Sequence, residues 1–168
     1  YQLEGYLFPA TYDCGEKTSM EELIEKMIAA TDANLQTYYS QIPNSGMNVN
    51  QILTLASLVE KEGATDEDRR NIASVFYNRL NIDMPLQSNI AILYAMGKLG
   101  EKTTLAEDAA IDTNINSPYN IYVNPGLMPG PVGSPSLAAI QATVNPNKTD
   151  YIYFVAKSDF SGYHHFSN

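Results

Sequence analysis

Two helical hydrophobic patterns run back to back through the middle of the chain, and each ends in a charged residue on its own apolar face. Ile52, Leu55, Ala56, Leu58 and Val59 share one stripe of a 3.6-residue wheel. Glu62 falls on that stripe, whereas Glu60 lies well off it and Lys61 points the opposite way. In the second pattern Ile72, Val75 and Phe76 form the stripe, Arg79 falls within it and Asn78 flanks it. Such stripes must bury themselves against other elements. The spacing predicts helices over Asn48–Glu62 and Asp66–Leu80, with Gly63 between them as a helix-ending glycine. Asp66, Glu67 and Asp68 suit the positive start of the second helix.

The flanking sequence supplies the remaining elements. Ser19 with Glu22 is a capping box, and Leu23, Met27 and Ala30 keep helical spacing, so a helix is expected over Ser19–Tyr39. Shorter helices are expected over Asn89–Met96 and Ser136–Thr143. Tyr1–Tyr12 is aromatic and β-prone, Tyr151–Ala156 reads as the clearest strand, and His165 and Phe166 begin another. Between Asn114 and Ser134 lies a Pro- and Gly-rich stretch too long for an idle connector. The expectation is a single α+β domain with helices packed on a small mixed or antiparallel sheet.

Composition removes several functions. The net charge of −9 is unsuited to nucleic acid or an anionic membrane surface. Cys14 is the lone cysteine, so no internal disulfide can form, and no run is long enough for a membrane span. The two histidines, His164 and His165, are adjacent and lack the spacing of a zinc site. No phosphate-binding glycine loop or nucleophile elbow is present, and no metal or cofactor is expected. The chain starts at Tyr1 rather than Met and reads as a piece of a longer protein, with any anchor upstream.

Chemistry concentrates on the two stripes and the long loop. A carboxylate ending a buried face must be paired, hydrogen-bonded or protonated. Desolvation would raise the pKa of Glu62, as a general acid requires; the alternative is a frayed helix end that leaves Glu62 in water. For Arg79, a role in holding substrate competes with a packed stem and a snorkelling head. Direct contact of Arg79 with Glu62 would work against an acid, because a neighbouring cation lowers a carboxyl pKa. In the loop, Tyr119 and Tyr122 offer flat faces for sugar rings, and Asn120 offers a paired donor and acceptor. A rigid surface loop is the plain alternative.

These motifs, in this order, resemble the YceG-like endolytic murein transglycosylases along nearly the whole chain. The resemblance rests on LEGYLFPATY (Leu3–Tyr12), ASLVEKEG (Ala56–Gly63), ASVFYNRL (Ala73–Leu80), LQS (Leu86–Ser88), SPYNIY (Ser117–Tyr122), GLMPGPV (Gly126–Val132), YIYFVA (Tyr151–Ala156) and GYHHF (Gly162–Phe166). It implies cleavage of the β-1,4 bond from N-acetylmuramic acid to N-acetylglucosamine in nascent strands, leaving 1,6-anhydro ends. It implies that Glu62, the second Glu of the EKE motif, is the catalytic acid and base. Candidate substrate-binding residues are then Glu4, Asn78, Arg79, Gln87, Ser88, Tyr119, Asn120, Tyr122 and His164. Arg79, Asn78, Gln87 and Ser88 are expected on one groove wall, with the Ser117–Val132 loop lining the groove and His164 facing it. Glu4 or the substrate acetamide would steady the oxocarbenium-like state. Partners would be peptidoglycan strands and the cell-wall synthesis machinery, outside the cytoplasmic membrane. Ala10, Asn89–Ile90, Ile121 and Met128 depart from the commonest family pattern. A hydrolysing muramidase and a non-catalytic glycan-binding module remain as alternatives.

Overall fold

Each helix begins where a polar side chain can satisfy its free amides. The computed structural model describes residues 2–101, 110–159 and 161–168. Helix α1 spans Met20–Leu35 behind the Ser19–Glu22 capping box. It ends short of the expected Tyr39, because Leu35 O accepts from both Tyr38 N and Tyr39 N and the chain closes into turns. A 3₁₀ turn, Ile42–Ser45, follows. Helix α2 spans Val49–Glu62, with Asn48 and Gln51 forming a second capping box. Helix α3 spans Asp66–Asn81 behind Thr65, α4 Asn89–Ala95 behind Ser88, and α5 Leu137–Val144 behind Ser136. Strands β1 (Tyr153–Ala156) and β2 (His164–Ser167) form an antiparallel ribbon in which Ala156 faces His164. Among the described residues these make an α+β fold of five helices on a two-stranded sheet.

Helix α2 is the centre of the molecule. Every residue from Ile52 to Val59 is buried, so burial goes round the helix instead of following one stripe. One face, with Leu55, Leu58 and Val59, packs against Ile72 and Phe76 of α3, Leu86 and Val132. The other, with Leu53 and Ala56, packs against Leu35 and Ile140, and is covered by Tyr6 and Phe8. The polar members of this buried run are satisfied locally. Thr54 Oγ1 donates to Asn50 O, and Ser57 Oγ donates to Thr54 O while accepting from Val132 N.

The aromatic opening does not form the expected strand in residues 2–12; Tyr1 lies outside the described residues. Its backbone is tied to α1: Phe8 N donates to Met27 O and Tyr6 O accepts from Thr31 Oγ1. Tyr6 OH donates to Asn50 Oδ1. The aromatic side chains that raise β-propensity here serve as a lid over helices, and packing overrides propensity. Gly5 turns this strap at φ +83°, and a Cβ there would come within 2.4 Å of Pro131 Cγ.

The glycine between α2 and α3 also differs from expectation. Gly63 has φ −90° and ψ 130°, an extended conformation open to any residue. Its constraint is space: a Cβ would lie 2.4 Å from Arg69 Cγ and 3.1 Å from Arg69 Cα. Only a glycine lets α3 turn back this tightly against the end of α2. That turn places Glu62 and the first residues of α3 side by side.

Candidate active site

Glu62 sits on the last turn of α2, half-buried, where the helix emerges from the core. It lines a groove of about 550 Å³ together with Lys61, Asn89, Ile90, Leu93, Leu99, Gly100, Glu101 and Ala156. The carboxylate is held rather than frayed: Ser88 Oγ donates to Oε1 at 2.6 Å. Burial raises the Glu62 pKa, and the Ser88 hydrogen bond and the positive charge available on His164 oppose that rise. A carboxyl whose pKa is raised by desolvation, with nearby groups that still favour its anion, can both give and take a proton.

Ser88 is aimed at Glu62 by a chain of buried contacts that starts at Arg79. The Arg79 side chain is only 6% exposed. Its Nε donates to Ile152 O at 2.7 Å, and its Nη1 donates to Pro85 O at 3.3 Å and Leu86 O at 2.7 Å. The guanidinium also lies over the Tyr153 ring at 5.6 Å. These bonds fix the segment before Ser88. Gln87 then adopts φ +54°, a left-handed conformation costly for a residue with a side chain, while its N–H donates to Ile121 O. The strained step turns Ser88 inward, where its Oγ meets Glu62 and also accepts from Ile90 N to cap α4.

The other candidates fall into distinct places. Asn78 spends its amide on main chain, donating to Thr149 O and Tyr151 O at 2.9 Å each. Asn120 is fully buried; it donates to Thr113 O and Ile115 O and accepts from Tyr122 N, so it organises its own loop. Tyr119 packs on Tyr94 with ring centroids 4.9 Å apart. Tyr122 OH donates to Asn89 Oδ1 at 2.6 Å on the groove wall. Burial raises the Tyr122 pKa, the Glu62 charge adds to it and Arg79 opposes it, which places the phenol within electrostatic reach of both. The Gln87 side chain is exposed. Glu4 is half-buried in the N-terminal turn and does not line this groove.

His164 stands at the start of β2, its side chain 9% exposed, while His165 faces outward. Asp68, itself 4% exposed, accepts from His164 N at 3.2 Å and lies 2.7 Å from His164 Nδ1. Two groups escaped the sequence reading: Asp68, which looked only like a helix-start charge, and Asn89. Their partners are remote in sequence, so no local pattern signals them. The groove wall also differs from expectation. Among the described residues α4 and the Leu99–Glu101 turn form it, and the Ser117–Val132 loop reaches it only through Tyr122. The loop is too occupied with its own packing, as buried Ile121 and Met128 show. A separate depression of about 340 Å³, lined by Gln41, Asn44, Tyr77, Asn81 and Asn145, lies against another face of α3, and among the described residues no carboxylate, imidazole or cation lines it.

The YceG-like family model matches residues 1–168. The chain belongs to the YceG-like family. A relative from Streptococcus pneumoniae, named an endolytic murein transglycosylase, is 67% identical over 156 residues, covering 93% of this chain and 28% of the relative. A relative of the same name from Bacillus subtilis is 45% identical over 160 residues, covering 95% of this chain and 43% of the relative. The crystal structure of a YceG-like protein from Listeria monocytogenes superposes with a TM-score of 0.86 at 43% identity, covering 98% of this chain and 52% of that one. The YceG-like chain thus spans less than half the length of these curated relatives. The Ser88–Glu62 contact and the Asp68–His164 pair are features of this YceG-like chain's own geometry.

Proposed function

We propose that this chain is the catalytic domain of an endolytic lytic transglycosylase that cuts the β-1,4 bond between N-acetylmuramic acid and N-acetylglucosamine, with Glu62 as acid and base. The observation that carries the reading is a single carboxyl at the end of a buried helix, raised in pKa by burial, fixed by Ser88 and open to a groove. The names of the relatives support the substrate class. Protonated Glu62 delivers its proton to the glycosidic oxygen as the C1–O bond breaks and that oxygen takes the electron pair. The Glu62 carboxylate then accepts the proton of the muramic C6 hydroxyl as O6 bonds to C1. The anhydro product forms and the acid is restored without water. The substrate acetamide steadies the positive charge at C1 between these halves, since Glu4 does not line the groove. The active site works outside the cytoplasmic membrane, in a longer anchored protein acting beside the cell-wall synthesis machinery.

One observation favours a second reading, a hydrolysing muramidase: Glu101 lines the same groove and is a second carboxylate. Hydrolysis needs such a group to activate water or trap the sugar. The products separate the readings. In the full-length protein acting on glycan strands, mass spectrometry should find anhydro-muramic ends. Glu62→Gln should lower their formation by about 10²–10⁴ or more, since one group serves both halves. Glu60→Gln is the comparison: Glu60 accepts from Ser136 N and Oγ at the start of α5, so its loss should act on stability far more than on chemistry. Reducing ends that vanish in Glu101→Gln would establish hydrolysis instead, and wild-type turnover by Glu62→Gln would end both readings.

A further inference from the structure

Asp68 has more buried polar contacts than a helix-start charge requires. One carboxylate oxygen lies 2.7 Å from His164 Nδ1 and accepts from Ala64 N at 3.3 Å; the other accepts from His164 N at 3.2 Å. A single side chain therefore ties together the main chain just after Glu62, the start of β2 and one edge of an imidazole. The Phe154 ring meets His164 edge to face at 5.3 Å and closes the ring's other side. Ala156, directly opposite His164 in the ribbon, is part of the wall of the Glu62 groove. With Nδ1 committed to Asp68, the atom left to the ring is Nε2. Among the described residues it has no hydrogen-bond partner.

We propose that Asp68 is a positioning residue for the transglycosylase reaction, locking His164 beside Glu62 so that its imidazolium is the counter-charge for the Glu62 carboxylate formed when the glycosidic oxygen is protonated. The inference rests on the function proposed above. The proton balance of that reaction is unchanged: Glu62 gives one proton and regains one, and His164 takes no part in the transfer. The direction of the His164 influence on Glu62 agrees, since it favours the anion against burial. Among the described residues the other ionisable groups around Glu62 are Lys61 on its own helix, Arg79 on α3, Tyr122 and Glu101. Among the described residues none of them contacts the Glu62 carboxylate by a hydrogen bond, whereas Ser88 does.

The test is the pH–rate profile of the full-length protein for anhydro ends, for wild type, His164→Gln, Asp68→Asn and the double variant. Removing the counter-charge makes Glu62 a weaker acid, so the loss of activity on raising pH should move upward by about one pH unit. The rate on the plateau should fall about 3- to 10-fold, because proton delivery follows acid strength with a sensitivity below one. The two single variants should shift alike and the double variant no further than His164→Gln. Should Asp68→Asn fail to fold, His164→Gln alone decides. An unmoved basic limb in folded His164→Gln, whether with a lower melting temperature or a higher KM, would overturn the proposal in favour of a structural or substrate-anchoring histidine. Failure of the underlying function is distinguished by Glu62→Gln, which would then remain active.

Discussion

A buried carboxyl at Glu62 costs stability, and the sign can be worked out. Its folded pKa is raised by burial, so the folded state holds the proton more tightly than the unfolded chain does. Stability is therefore highest below the ordinary carboxylate range and declines as pH rises through the raised pKa. Glu62→Gln removes that cost while keeping an acceptor for Ser88. Its melting temperature should exceed wild type by about 2–4 °C at pH 8, the shift of roughly 1 kcal/mol in a domain this size, and match it at pH 4. Thermal unfolding at the two pH values checks this; a variant less stable at both would show that Glu62 is a structural ion. Arg79 belongs to the opposite class. Its planar fork reaches three main-chain carbonyls, which a lysine cannot reproduce from one ammonium. Arg79→Lys should lose about 2–4 kcal/mol in denaturant unfolding and lower activity as well, because Ser88 loses its support. The helical wheel found both residues because each sits on an apolar stripe. It could not tell that one faces a groove and the other holds the backbone beside it.

At the scale of elements, the α2–α3 junction decides whether the site exists. Gly63 lets the Arg69 backbone approach within the space a Cβ would fill. In Gly63→Ala the Arg69 side chain can swing away, but its Cα and Val59 O, at 3.1 and 3.2 Å from the new Cβ, cannot move without parting the helices. A loss of about 1–3 kcal/mol is expected, with a fall in activity larger than that loss explains, since Glu62 and Asp68 flank the junction. Denaturant unfolding paired with turnover on the folded fraction checks it; full activity per folded molecule would show that the junction tolerates the shift. The helices themselves were legible, since capping residues and periodicity are local signals. The opening aromatic segment was not. Its β-prone residues make a strap on α1 and α2, because the faces of those helices take up its aromatic side chains and its backbone bonds.

At the scale of the molecule, α2 belongs to two hydrophobic clusters at once. Leu58 packs in the cluster with α3, and Leu53 in the one with α1 and the N-terminal strap. A helix shared in this way should make the clusters unfold together. Leu53→Ala and Leu58→Ala should each cost about 2–5 kcal/mol and each leave one transition of unchanged denaturant slope. Two separable transitions in either variant would show that the strap side melts on its own. The negative charge of the whole chain fits this architecture: among the described residues the groove is lined by two carboxylates, Glu62 and Glu101, with Lys61, Asn89 and apolar side chains, rather than by a field of cations.

The sequence by itself determined where the helices start, which stripes they bury, that Glu62 lies on the α2 stripe and Glu60 off it, and the family, because propensity, capping and motif order are properties of neighbouring residues. Tertiary structure alone decided that α2 is buried all round, that Asn78 and Asn120 turn their amides on the main chain, and that α4 rather than the Pro/Gly loop walls the groove. It also decided the pairing of Asp68 with His164, ninety-six positions apart. Those outcomes depend on which surfaces meet when the chain packs, and a contact across that distance leaves no periodicity in a single sequence to read.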